Sequence, residues 1–166
     1  MPTEILTTLA EAAIAFAGLS ALSMVVAQLA SVVWRPDLTT GLWLMIAWSL
    51  GAFVFSILPL VLLEFGFAED VVISLVSAGL GVFYFVVCGL AFVRDAGLLK
   101  RGAEAPLRTM IVGGSLGIVV ATVMLSNSLS LLPGARNAWY VSGVFGLLIY
   151  AMLPLGHLAL TLKQKD

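Results

Sequence analysis

Five long apolar segments follow one another along the chain, and nearly all of the charged residues lie between or beyond them. The segments cover about 5–34, 42–63, 71–93, 109–132 and 138–162. A helix of roughly 20 apolar residues crosses the hydrocarbon core of a bilayer. The chain is 61% hydrophobic and 10% charged, whereas a soluble domain carries about 25% charged residues. We therefore expect an all-α fold: a polytopic integral membrane bundle of about five transmembrane helices, forming a single domain over residues 1–166.

The turns between the segments contain residues that stop helices. Arg35-Pro36-Asp37 closes the first segment, and Pro133-Gly134 closes the fourth, because proline cannot continue a helix and charges favour water. No Lys or Arg precedes Arg35, and the first segment is longer than the roughly 7–15 apolar residues of a signal peptide. We therefore expect the first segment to be a helix of the mature protein.

The distribution of basic residues predicts the topology. If successive turns alternate between the two sides, Arg136 is the only one of the eight Lys and Arg residues on the N-terminal side. Basic residues concentrate on the cytoplasmic side of membrane proteins. We expect a bacterial inner membrane protein with its N-terminus outside and its C-terminus in the cytoplasm. Trp34 and Trp43 would then lie at the cytoplasmic interface, and Trp139 and Tyr140 at the outer one, as in an aromatic belt.

The charged residues of the turns suggest two kinds of partner. Four basic residues near one cytoplasmic turn are expected to contact anionic lipid headgroups: Arg94, Lys100, Arg101 and Arg108. Five carboxylates fall on the outer side, either as a vestibule that concentrates cations or as solvated turns: Glu4, Glu11, Glu64, Glu69 and Asp70. The net charge of −1 and the lack of a basic stripe argue against binding to nucleic acid.

Small residues at spacings of three and four indicate close helix packing. Ala13 and Ala17 recur in this way in the first segment, and Gly113, Gly117 and Ala121 in the fourth. Such faces bring helices together either within one protomer or between protomers. The sequence therefore predicts a tightly packed bundle, with self-association or contact with other membrane subunits as an open alternative.

The first segment also contains the pattern E-x-x-x-A-F-A-G, from Glu11 to Gly18. It resembles the N-terminal signature of a group of small, uncharacterised bacterial polytopic membrane proteins. The resemblance covers about fifteen residues and the general hydropathy, and it implies a bacterial membrane origin. No activity is assigned to that group, so the resemblance implies no functional residue.

Polar residues inside apolar segments are candidates for function, since they are costly in lipid. Glu11, Gly18, Asn127 and Glu64 are candidates for a pore or cation path. Two of them have structural alternatives: Thr8-x-x-Glu11 fits a helix capping box, and Asn127 could form interhelical hydrogen bonds. The single histidine, His157, is either a pH-sensitive gate or an ordinary interfacial residue.

The sequence lacks the residue sets of common enzymes. With one Cys, Cys88, and one His, it cannot supply the usual zinc or haem ligands, and it contains no phosphate-binding P-loop. We therefore expect no enzymatic activity, no metal and no cofactor. The first hypothesis is a homo-oligomeric pore or small cation or solute transporter, which the sequence favours; the alternative is a non-catalytic accessory or scaffold subunit of a larger membrane complex.

Overall fold

The computed structural model of this protein describes residues 3–29, 36–100 and 107–163. These residues form five α-helices and confirm the expected all-α class: α1 Thr3–Leu29, α2 Pro36–Glu64, α3 Glu69–Lys100, α4 Leu107–Ser128 and α5 Arg136–Lys163. The predicted end of the first segment, 30–34, lies outside the described residues.

Two helices are longer than the apolar segments that predicted them. Helix α2 begins at Pro36 rather than near residue 42, because proline suits the first helical position, where its missing N–H is not needed. Helix α3 continues to Lys100, past the predicted end at residue 93. The apolar length of a segment predicts only the part of a helix that is shielded from water. Charged residues such as Arg94 and Asp95 do not interrupt the backbone hydrogen bonds, so α3 continues beyond the apolar segment.

Helix α2 ends in a Schellman motif, a left-handed turn that satisfies its last carbonyls. The N–H of Gly66 donates to the carbonyl of Leu63 at 2.9 Å, and the N–H of Phe67 donates to that of Leu62 at 3.3 Å. Gly66 has φ of 81°, a conformation that glycine adopts without steric cost. The chain therefore reverses within four residues and enters α3 at Glu69.

Helix α4 ends in the same way but without a glycine. The N–H of Ser130 donates to the carbonyl of Asn127 at 3.1 Å, and that of Leu131 donates to Ser126 at 3.0 Å. Ser130 takes the left-handed conformation, with φ of 59°. The helix therefore stops at Ser128, several residues before the predicted end at residue 132, which was placed from Pro133-Gly134.

The five helices form a bundle in which α5 is central. Helices α1 and α2 pack together, α3 and α4 pack together, and α5 contacts all four of them. Helix α2 also contacts α3, whereas the described residues of α1 and α4 do not contact each other. Helix α1 is consequently peripheral, because it has neighbours only in α2 and α5.

The interior is apolar and rich in aromatic rings. Trp48 lies against Phe83, Tyr84 and Tyr150, with ring centroids 5.8, 5.3 and 5.0 Å away. The Tyr84 hydroxyl donates to the carbonyl of Gly143 at 2.9 Å. These tyrosines bury their rings and still satisfy their hydroxyl groups, which is the usual condition for a buried tyrosine.

Tyr140 corrects one expectation from the sequence. It was placed with Trp139 in an outer aromatic belt, but Tyr140 is fully buried, and its hydroxyl donates to the carbonyl of Phe55. Trp139 remains partly exposed. Adjacent residues of a helix point about 100° apart, so one can face the core while the next faces outward.

The outer surface of the bundle is also apolar. Each of the five helices exposes large hydrophobic side chains, among them Ile14 on α1, Val54 on α2, Phe85 on α3, Ile118 on α4 and Phe145 on α5. Within the part of the chain that the structure describes, two helical stretches are long and apolar enough to cross a membrane, Leu42–Glu64 and Glu69–Gly97; a shorter apolar stretch covers Gly113–Ser128.

Candidate functional site

Polar side chains from three helices meet where the N-terminal ends of α3 and α5 adjoin the C-terminal end of α4. Asp70, Ser74 and Ser77 come from the first three turns of α3, Asn127 from the last turn of α4, and Arg136 from the start of α5. We call these five residues the polar cluster. It forms there because the tight turn between α4 and α5 brings Arg136 back beside the end of α4.

Asn127 joins the three helices. Its amide nitrogen donates to the Ser77 hydroxyl at 2.9 Å and to the backbone carbonyl of Arg136 at 3.2 Å. The side chain is fully buried, and its Oδ1 has no hydrogen-bond partner among the described residues. A buried polar atom without a partner costs about 1–3 kcal/mol, so this oxygen is the position in the cluster best suited to accept a further hydrogen bond.

Arg136 holds the end of α4. One guanidinium nitrogen, Nη2, donates to the Ser74 hydroxyl at 2.6 Å and to the backbone carbonyl of Asn127 at 3.2 Å, with a longer contact of 3.5 Å to that of Ser128. The last carbonyls of a helix lack partners within it and favour a cation. Arg136 therefore caps α4 and attaches it to α3.

The carboxylates beside the cluster are exposed. Asp70 lies 3.9 Å from Nη1 of Arg136, with side chains 94% and 20% exposed, respectively, so this ion pair contributes little stability. Asn137 donates to the Glu69 carboxylate at 2.9 Å and connects α3 to α5 a second time. The cluster thus has a buried amide and guanidinium on its inner side and carboxylates on its outer side.

Below the cluster, glycines allow α3, α4 and α5 to approach closely. A Cβ atom at Gly117 would lie 2.2 Å from the Cys88 sulfur, and one at Gly143 would lie 2.4 Å from the Met124 sulfur. A Cβ at Gly81 would lie 3.1 Å from a backbone oxygen of α4. These contacts bring α3, α4 and α5 into direct contact beside the aromatic core.

The candidates on α1 lie outside this interior. Glu11 and Gly18 are exposed, and a Cβ at Gly18 would meet no atom within 4 Å. Ala13 is buried and Ala17 half-buried. The opposite face of α1 therefore packs on the bundle, while the Glu11 and Gly18 face points away from it.

The capping-box interpretation of Glu11 is wrong. Helix α1 begins at Thr3, so Thr8 and Glu11 lie inside the helix rather than at its start. The Thr8 hydroxyl donates to the carbonyl of Glu4 at 3.0 Å, one turn earlier. The pattern misled because threonine can bond backward to a carbonyl of its own helix as well as forward to an N–H group.

The other candidates fall in different parts of the molecule. Gly117 and Ala121 are buried at the contact of α4 with α3; Gly113 is half-buried, and its carbonyl accepts a hydrogen bond from Tyr150 at 2.9 Å. Glu64 is exposed at the end of α2. Because the described residues of α1 and α4 do not contact each other, Glu11 and Asn127 do not share a site among them.

The predicted lipid contacts and gate are described only in part. Arg94 and Lys100 are exposed near the end of α3, where they are free to reach headgroups. Arg101 lies outside the described residues. Arg108 and His157 belong to α4 and α5, but their side chains lie outside the described part, so their roles stay predictions.

Sequence reasoning did not find most of the polar cluster. Arg136 counted only toward topology, and Ser77 only as a small residue. Ser74 and Ser77 do lie three residues apart on one face of α3, but serines at this spacing are too common to indicate a site. No feature of the sequence relates them to Asn127, which is 50 residues away from Ser77.

Comparisons with known proteins leave the function to be argued from the structure. No family model matches the chain, and neither a curated protein nor a solved structure is detectably similar to it. Within 3–29, 36–100 and 107–163, no three His, Cys, Asp or Glu residues are grouped so as to hold a metal ion.

Proposed function

We propose that this chain is a five-span protein of the bacterial inner membrane, with its N-terminus outside and its C-terminus in the cytoplasm. Large apolar side chains on the outer surface of all five helices support this location, because apolar surface on that scale is typical of contact with lipid or protein rather than water. The distribution of Lys and Arg supports the orientation.

Within the membrane, we propose that the protein is a non-catalytic accessory or scaffold subunit. Close packing of the described interior supports this proposal: the aromatic core and the glycine contacts among α3, α4 and α5 favour a rigid packing unit over a conduit. This reverses the order suggested by the sequence, which favoured a pore. The scaffold hypothesis needs only the outer surface of the bundle, whereas a pore through one protomer needs a polar interior.

Helix α1 is the element best placed for association. It contacts only α2 and α5, and Glu11 lies on its exposed face. An ionised carboxylate that faces lipid is unfavourable. A polar partner or a water-filled space beside Glu11 removes that cost, so this face is where we place the contact with a neighbouring subunit.

The same observation favours a second candidate function, a homo-oligomeric pore or transporter. If several copies place their α1 faces around a common axis, Glu11 lines a path between the copies. Gly18, seven residues further on, lies on the same side of the helix and leaves that path open. The interior of the protomer then stays dry, and conduction depends on the oligomer.

Reporter fusions test the location and topology. A reporter that is active only in the cytoplasm should be active when fused after Lys100 and inactive when fused after Arg136. The opposite pair of results would reverse the orientation, and activity at both positions would overturn the five-span topology.

Reconstitution separates the two candidate functions. For a scaffold subunit, we expect no cation flux into liposomes and a stoichiometric complex with a different membrane protein after gentle extraction. A symmetric homo-oligomer with cation flux would overturn the scaffold proposal. In that case, Glu11→Gln should reduce the flux, while Asp95→Asn, which removes a carboxylate from the far end of α3, should leave it unchanged.

A further inference from the structure

The turns after α2 and α4 share a sequence and structural pattern. Each has a large apolar residue on both sides of the left-handed residue: Phe65-Gly66-Phe67 in one turn and Leu129-Ser130-Leu131 in the other. The exposed fractions are 77% for Phe65, 52% for Phe67, and 70% for both Leu129 and Leu131. The hydrogen bonds of each turn join backbone groups only, so they do not involve these side chains.

Both turns lie at the same end of the bundle. Asn137, which follows the second turn, donates to Glu69, which follows the first, and Arg136 lies near Asp70 in the same way. The four apolar side chains therefore project from one end of the molecule. Exposed apolar groups at a turn are unfavourable in water, so they need an apolar environment or a partner.

The exposed face of α3 indicates where a bilayer would lie relative to this end. Large apolar side chains are exposed from Val71 through Phe85 to Val93, and exposed Arg94 follows directly. A helix of this length measures about 34 Å, close to the roughly 30 Å of a hydrocarbon core. One edge of the core thus falls near Val71, within a few residues of Phe67.

We propose that the two turns insert their four apolar side chains into the interfacial region of the outer leaflet. The occupant of this surface is lipid, at the level of the headgroups and the first acyl carbons. Irregular backbone does not enter the hydrocarbon core when it faces lipid, so the insertion stops at this depth. This inference rests on the membrane location proposed above.

The charges beside the turns define the kind of lipid surface. Glu64, Glu69 and Asp70 lie next to these side chains, so anionic headgroups would be repelled rather than attracted. Transfer of apolar surface out of water drives the insertion, and a zwitterionic surface is sufficient. At the other end, α3 continues about 10 Å beyond Val93 to Lys100, so the bundle is level with the outer surface and protrudes on the cytoplasmic side.

Spin labels measure this depth directly. The full chain with Cys88→Ala would receive a single cysteine by Phe67→Cys or Leu131→Cys and be reconstituted in phosphatidylcholine vesicles. Phe85→Cys and Val93→Cys provide lipid-facing references on α3, and Lys100→Cys provides a water-facing one. Collision rates with oxygen, which dissolves in lipid, and with a water-soluble nickel complex report the environment of each label.

We expect labels at positions 67 and 131 to favour oxygen over nickel more strongly than the label at position 100. We also expect adding phosphatidylglycerol not to deepen them. Labels at 67 and 131 that match position 100, while position 85 favours oxygen, would overturn the insertion but leave the membrane location intact. If position 85 also favours nickel, the proposed membrane location itself fails.

Discussion

The polar cluster and the exposed face of α1 each contain a polar residue of an apolar helix. The two residues differ in burial: one lies inside the bundle and the other on its surface. Asn127 is fully buried and is held by groups from α3 and α5. Glu11 is exposed on a peripheral helix beside residues such as Ile14. The bundle therefore holds the Asn127 amide nitrogen with its own groups, whereas Glu11 faces away from the rest of the protomer.

The glycines of the two regions differ in the same way. Gly117 allows α4 to approach Cys88 on α3, whereas Gly18 faces open space. Both residues belong to small-residue patterns that look alike in the sequence. The structure assigns one to packing within the protomer and leaves the other available for contact with another molecule.

Replacing these two glycines should give the largest difference in the free energy of unfolding between variants of the two regions. Gly117→Leu places side-chain atoms where the Cys88 sulfur lies, and overpacking of this kind costs about 1–3 kcal/mol. Gly18→Leu meets no atom in the protomer and should change the free energy of unfolding by less than about 0.5 kcal/mol. Melting temperatures in detergent measure both effects. Equal destabilisation would contradict the contrast, and loss of an oligomer only in Gly18→Leu would identify α1 as the subunit contact.

Removing the polar side chains of Asn127 and Glu11 should give a smaller difference in the free energy of unfolding. Asn127→Ala leaves the Ser77 hydroxyl and the Arg136 carbonyl without their bonds to the amide, and we expect a loss of about 1–2 kcal/mol, as for interhelical bonds in membranes. Glu11→Ala should leave stability nearly unchanged, because no neighbouring helix covers this residue. Unfolding in a denaturing detergent compares the two variants. If Glu11→Ala is the more destabilising one, α1 packs differently from the structure described here.

The smallest expected effect lies at the turn beside the cluster. Ser130 has a positive φ, which costs an L-residue about 1 kcal/mol, so Ser130→Gly should stabilise the end of α4 by up to that amount. The reciprocal change, Gly66→Ser at the matching position after α2, should destabilise by a similar amount. A thermal shift of the same sign in both variants would show that the two turns are not equivalent.

Much of the fold could be predicted because it depends on local properties. The apolar length of each segment and the breakers between them were enough to place five helices near their observed positions. The errors occurred where the sequence carried no local signal. Ser130 ends α4 in a conformation usually taken by glycine, and the tertiary contacts of Tyr140 with α2 bury a residue that resembled an interfacial tyrosine.

The sequence by itself determined the helical class and the order of the helices, because apolar length and helix breakers are properties of neighbouring residues. Only the tertiary structure decided which polar residue forms hydrogen bonds inside the bundle. The hydrogen bond between Asn127 and Ser77 joins residues 50 positions apart, and it exists because the seven-residue turn between α4 and α5 and the Arg136 cap bring the ends of α3, α4 and α5 together. The exposure of Glu11 has the same origin, since it depends on which helices pack against α1.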